Sequence, residues 1–203
     1  MSTKNRTKRV MTLGGVFPPV LVVDLAGRPV HWAHWQEAVR HYVLEQIAWT
    51  VGDPASVVRG GIQMNGERSR VHLHPVIALH GVNGGVFEDY TPALSNPALF
   101  ARDRYRCLYC GSDLSARRAL ATRDHVIPIS RGGPDRWANV ATACRACNSR
   151  KDDRTPEEAG LRLLAVPYAP NYAEHLILEN RRILADQMVF LAKRVPRRRH
   201  TTN

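Results

Sequence analysis

Cys107-Leu108-Tyr109-Cys110 opens the stretch that decides the fold. The chain then runs through Thr122-Arg123-Asp124-His125-Val126-Ile127-Pro128-Ile129-Ser130-Arg131-Gly132-Gly133 and Trp137-Ala138-Asn139-Val140. It closes on Cys144-Arg145-Ala146-Cys147-Asn148-Ser149-Arg150-Lys151. All four cysteines of the chain lie here, as two C-x-x-C pairs. Each pair can put two thiolates on one tight turn, and two such turns make a tetrahedral sulfur site suited to zinc. Redox dithiols and spare core cysteines are the competing readings; the spacing and an expected reducing compartment favour Zn2+. With Cys107, Cys110, Cys144 and Cys147 filling all four positions, the zinc is expected to be structural. It would pin the start of the stretch against its end and bring the neighbourhoods of Asp124 and Asn148 into one small volume.

Between the pairs, residues 122–129 are expected to form a strand and 130–135 a loop rich in glycine and proline. Residues 139–142 return as a second strand. From Cys144 onward a helix should carry Asn148 on its first turns. The unit is thus expected to be a hairpin followed by a helix, clamped by metal.

The order D-H-V-I-P-I-S-R-G-G, W-x-N-V and C-x-x-C-N-S-R-K resembles the HNH endonuclease family in its four-cysteine, zinc-bound form. The last position departs from the family letters, since Asn148 stands where a histidine gives the family its name. The resemblance implies a ββα-metal fold and a one-metal nuclease leaving 5′-phosphate and 3′-hydroxyl ends. A weaker likeness to the N-terminal extension of some bacterial HNH proteins lies in D-L-A-G-R-P and W-x-x-A, within the first 38 residues.

Physical chemistry assigns roles beside that resemblance. Phosphodiester hydrolysis needs an activated water, neutralised phosphate charge and help for the leaving oxygen. Histidine changes protonation near neutral pH, so His125 is the candidate general base. Asp124, adjacent but on the opposite strand face, and Asn148 offer hard oxygen ligands for a catalytic divalent cation. Mg2+ suits such a set, with Mn2+ as the other candidate. Asn139 is expected to orient the loop or the His125 ring. Arg131, Arg145, Arg150 and Lys151 are candidates for backbone phosphate contacts.

Composition agrees with a polyanionic partner. The 203-residue chain carries a net charge of +11 and a pI near 10.2, which suggests nucleic acid as the first candidate partner, with a solubilising charge or a ribosome-like basic tail as the competing reading; DNA is what the resemblance implies. Hydrophobic residues at 44% exclude global disorder. No apolar run approaches a membrane span, and glycines and prolines break the segment after the basic N-terminus, so no secretory leader is read. A cytoplasmic location is the expectation.

The flanks complete an α+β reading with three segments: an N-terminal strand and helix extension (1–98), the HNH domain (99–155), and C-terminal helices with a basic tail (156–203). Residues 1–15 read as an arm. Residues 17–25 read as a strand, 24–29 as a turn and 34–50 as a helix. Residues 69–79 read as a half-buried strand interrupted at Pro75. His31, His34 and His41 lack a metal-ligand pattern. His72 and His74 share a strand face but have no third ligand nearby. Residues 94–104 should form a short helix. Thr155-Pro156-Glu157-Glu158 reads as a capped helix start. Residues 172–195 read as one final helix whose apolar stripe packs on the N-terminal part or, alternatively, forms a homodimer interface. Arg197 to His200 is a basic tail. The competing function classes are a non-catalytic zinc-stabilised nucleic-acid-binding module and an HNH-type RNase or toxin.

Overall fold

The computed structural model describes residues 17–87, 89–180 and 182–196. The expected arm at 1–15 and the tail at 197–200 lie outside the described residues. The protein is α+β and divides into two compact units. The first holds residues 17–87 together with 180 and 182–194; the second holds 89–179 with 195 and 196. The segment expected to run from residue 156 to the end is therefore shared between them.

The first unit is built on a four-stranded sheet. β1 (Val20–Val23) and β2 (Pro29–Ala33) pair antiparallel across the turn at Asp24, whose carboxylate accepts from the Arg28 and Gly84 amides. β6 (Val76–Leu79) runs parallel to β1 and is flanked on its other side by antiparallel β3 (Ile47–Val51), giving the order β2-β1-β6-β3. β1 and β6 are central and fully buried, which is why both read as unbroken apolar runs. Helix α1 (Trp35–Val43) covers the sheet through Ala38 and Val39. The core gathers Val20, Val22, Ala33, Ala38, Leu73, Ile77 and Leu79. β4 (Ser56–Ile62) and β5 (Arg68–Leu73) form a separate two-stranded ribbon.

The turn at 24–29 forms, and a strand absent from the sequence reading, β2, follows it directly. Two expectations are corrected here. The helix expected over 34–50 ends at Val43, because Glu45 turns to φ 53 and the bulky and β-branched Ile47, Trp49, Thr50 and Val51 pair as β3. The final helix is two helices, α4 (Tyr172–Glu179) in the second unit and α5 (Ala185–Ala192) in the first. The Asn180 side chain accepts from the Arg182 amide at the break, and Gln187 accepts from the Leu184 amide to start α5. Within the first unit, the Gln187 amide is fully buried and donates to the carbonyls of Pro19 and Pro75, both at 2.8 Å. The stripe is thus partly spent inside this unit. The break at Pro75 falls where expected, between β5 and β6.

The second unit begins with α2 (Asn96–Arg102), capped by the Ser95 hydroxyl and carrying Pro97 in its first turn. β7 (Ala121–His125) and β8 (Val140–Cys144) pair in regular antiparallel register, with Asp124 opposite Ala141 and His125 opposite Val140. α3 (Arg145–Lys151) follows at once. Two small apolar clusters support the hairpin: Leu99, Trp137 and Val140 on one side, and Cys107, Tyr109, Leu114 and Ala143 at the cysteine end. A buried cation joins them. Arg102 donates to the carbonyls of Trp137, Tyr168 and Val140 and pairs with Asp103 at 2.8 Å, while Asp103 accepts from the Thr142 amide. At Thr155 the capping-box hydrogen bonds with Glu158 form, but only turns follow, and Gly160 at φ 63 ends them.

Candidate active site and metal centre

The four thiols converge as the spacing requires. Their sulfurs all lie within 4.8 Å of one another, and those of Cys110 and Cys144 are 3.9 Å apart. A zinc tetrahedron with bonds of about 2.3 Å has sulfurs about 3.8 Å apart, so the site fits the ion. Local structure explains the convergence. The Gly111 amide closes the first knuckle on the Cys107 carbonyl at 2.9 Å, with Gly111 at φ 75. The Cys144 sulfur caps α3 by accepting from the Cys147 amide. Hydrogen bonding from the Ser112 side chain lowers the Cys110 thiol to about 6, while burial pushes Cys107 and Cys147 up. Such a crowded set is brought to full ionisation by a bound cation.

The hairpin and α3 sort the polar residues onto two faces. Thr122 and Asp124 alternate on one face of β7, and α3 covers it. Asn148 and Lys151, three apart on α3, both reach that face. The Asn148 Nδ2 donates to the Thr122 hydroxyl at 3.0 Å, and the Lys151 Nζ donates to Asp124 Oδ1 at 3.1 Å. The Tyr109 hydroxyl, from inside the first cysteine knuckle, donates to Asp124 Oδ2. Burial and this carboxylate push the Tyr109 phenol well above its usual range. Asp124 is 4% exposed and Lys151 1% exposed.

His125 leaves β7 from the opposite pleat face, as Arg123 does. Its Nε2 lies 2.9 Å from Asp135 Oδ1, and Arg123 also donates to both oxygens of Asp135. Hydrogen bonding from His125, then from Arg123, holds the Asp135 carboxyl below its usual range. An ionised Asp135 only accepts, so in a neutral imidazole Nε2 is the donor and Nδ1 the acceptor. The His125 backbone carbonyl accepts from Lys151 Nζ at 2.7 Å, so one ammonium is bonded to the carboxylate of Asp124 and to the backbone of its neighbour.

Asn139 folds the intervening loop. Its Nδ2 donates to the Ile127 and Pro134 carbonyls, and its Oδ1 accepts from the Ile127 amide. Gly133 lies so close that a Cβ there would collide with the Ile127 carbonyl. Only glycine permits that approach, which delivers Asp135 to His125.

The sites expected from sequence divide accordingly. Asp124 and Asn148 bond on the side of β7 that α3 covers, and His125, next along the strand, is bonded to Asp135. Asn139 organises the loop. Lys151, expected at the phosphate backbone, is instead buried with its Nζ in an ion pair with Asp124. Arg131 is paired with Glu158 at 2.6 Å. Arg150 donates only a long bond to the Gly160 carbonyl, and Arg145 is exposed with no acidic partner among the described residues. Two residues escaped the sequence reading. Asp135 reads as an ordinary turn residue, and Tyr109 as a spacer inside C-x-x-C; the aromatic ring in a knuckle was the only available signal.

Asp124 and Asn148 offer oxygen donors of the kind a hard divalent cation takes. Asp124 Oδ1 accepts from Lys151 and its Oδ2 from Tyr109, and the Asn148 side-chain Oδ1 has no hydrogen-bond partner among the described residues.

Comparison with known families agrees with this arrangement. Residues 107–164, which take in both cysteine pairs, the hairpin and α3, match the family model described as HNH endonuclease. No curated protein matches the chain. No helix among the described residues is long and apolar enough to cross a membrane.

Proposed function

We propose that the protein is a divalent-metal-dependent endonuclease that hydrolyses DNA phosphodiester bonds, leaving 5′-phosphate and 3′-hydroxyl ends. The observation that carries this is His125, held through Nε2 by Asp135 at the end of a strand whose other face bears Asp124 beside Asn148. A bare binding module has no use for an imidazole with a fixed proton and an open Nδ1.

His125 Nδ1 takes a proton from water as the water oxygen attacks phosphorus. Asp135 keeps the ring oriented and stabilises the imidazolium that results. Asp124 and Asn148 would hold a Mg2+ or Mn2+ ion, which would supply positive charge to the phosphate and the departing 3′-oxygen. Arg145 and Arg150 hold the backbone without reading sequence. Asn139 and Lys151 act through other groups: Asn139 fixes the loop that presents Asp135, and Lys151 ties the backbone of His125 to Asp124. The zinc site of Cys107, Cys110, Cys144 and Cys147 is structural.

Conversion of supercoiled plasmid to nicked and linear forms, followed against added Mg2+ or Mn2+, tests the reading. Cleavage should require the added ion, and Asn148→Ala should need more of it. Ion-independent cleavage, or preference for RNA over DNA of the same sequence, would reject the assignment.

A further inference from the structure

The β4–β5 ribbon has a composition that its fold does not require. Arg59 and Arg70 stand directly opposite each other in the register, and Ile62 stands opposite Arg68. Alternation along β5 sets Arg68, Arg70 and His72 on one face, the face Arg59 also occupies. All four are exposed. The other face is different: Val58 and Val71 pack against the core cluster that includes Leu73. Like charges directly opposite on a strand pair are destabilising. None of the three arginines has a carboxylate partner among the described residues, and Glu67 in the turn is the single acid of the ribbon.

The tip adds a second observation. Residues 63–67 form a closed turn, with the Gln63 amide donating to the Glu67 carbonyl and the Gly66 amide to that of Gln63. Ile62 at 72% exposure and the fully exposed Met64 project there, touching no core. They offer a small apolar contact at the end of a basic ribbon.

We propose that this ribbon is a duplex-DNA-binding arm. The arginine face lies along backbone phosphates, and Ile62 and Met64 enter the groove. A two-stranded ribbon fits the major groove, where apolar side chains contact the thymine methyl group. At about 3.3 Å per residue the strands of the ribbon extend roughly 20 Å, enough to cross several phosphates. An anion opposite the Arg59–Arg70 pair removes the repulsion that the free ribbon carries. The choice of polymer rests on the nuclease reading, but binding is measured apart from cleavage.

The test is binding of fluorescently labelled duplex DNA by the full-length His125→Ala chain, read by anisotropy across a salt series without added Mg2+. Combining Arg59→Gln, Arg68→Gln and Arg70→Gln should weaken binding about tenfold or more at moderate salt. It should also reduce the slope of log affinity against log salt by about 3, roughly 0.9 for each phosphate no longer neutralised. Ile62→Ser with Met64→Ser should weaken binding at unchanged slope. Arg40→Gln, an exposed site on α1, should leave both nearly unchanged, and far-ultraviolet circular dichroism should report native folding for each variant. Unchanged affinity and slope in the folded arginine variant would overturn the arm while leaving the nuclease reading intact. Tighter binding of single-stranded RNA than of duplex DNA would overturn it as well.

Discussion

The two units are stabilised in opposite ways. The first buries Val20, Val22, Leu73, Ile77 and Leu79 in an apolar core against a regular sheet. The second buries Arg102, Asp124, Asn139, Thr142 and Lys151 among small apolar clusters. Fully burying one aliphatic side chain contributes about 1.5–3 kcal/mol, and such packing tolerates conservative exchange. Buried ionic and amide groups contribute little net stability but fix geometry, because each partner removed leaves a costly unpaired group. The second unit therefore gains precision at the expense of tolerance, and a zinc ion at its four cysteines would supply stability that its small core cannot.

That contrast can be broken at several points. Removing one zinc ligand should have the largest effect. Cys144→Ser is expected to abolish stoichiometric zinc on metal analysis and to unfold the second unit, since structural zinc sites contribute about 10–16 kcal/mol of apparent binding energy. Hydrogen exchange should show the loss confined to the second unit, with β1 and β6 still protected.

The buried ion pair comes next. Lys151→Met should destabilise the second unit by about 3–5 kcal/mol, because Asp124 is left charged and buried. Adding Asp124→Leu should recover much of that loss in thermal melting. In the first unit Ile77→Val should cost only about 0.5–1.5 kcal/mol. Equal sensitivity of the two sites would erase the distinction.

The smallest expected effect is a pH dependence. Hydrogen bonds from His125 and Arg123 hold the Asp135 carboxyl below its ordinary value, so the folded state binds its proton more weakly than the unfolded one. The contribution is present above the ordinary carboxylate range and is lost as pH falls through the lowered native value. The melting difference between wild type and Asp135→Asn should thus be measurable at neutral pH and shrink in acid.

The legibility of the two units followed the same division. The hairpin, the helix after Cys144 and the cysteine cluster could be read because metal and turn chemistry demand particular residues at particular spacings. The first unit was harder. A sequence such as Ile47-Ala48-Trp49-Thr50-Val51 continues the helical periodicity of α1, and only the left-handed turn at Glu45 separates them. β4 and its glycine pair gave no periodic signal at all. Within the site, residue types were legible but partners were not. A basic residue in a basic helix reads as a phosphate ligand, and nothing local reveals that Lys151 is buried against Asp124. Asp135 reaches His125 only through a loop folded by Asn139, a long-range arrangement that spacing does not encode.

The most direct measurement is single-turnover nicking of supercoiled plasmid in Mg2+ by wild type and His125→Ala at matched zinc content and matched melting temperature. Loss of the imidazole should lower the rate by about 10²–10⁴-fold. Equal rates for the two proteins would contradict the assignment of His125 as the base and, with it, the catalytic reading of the site.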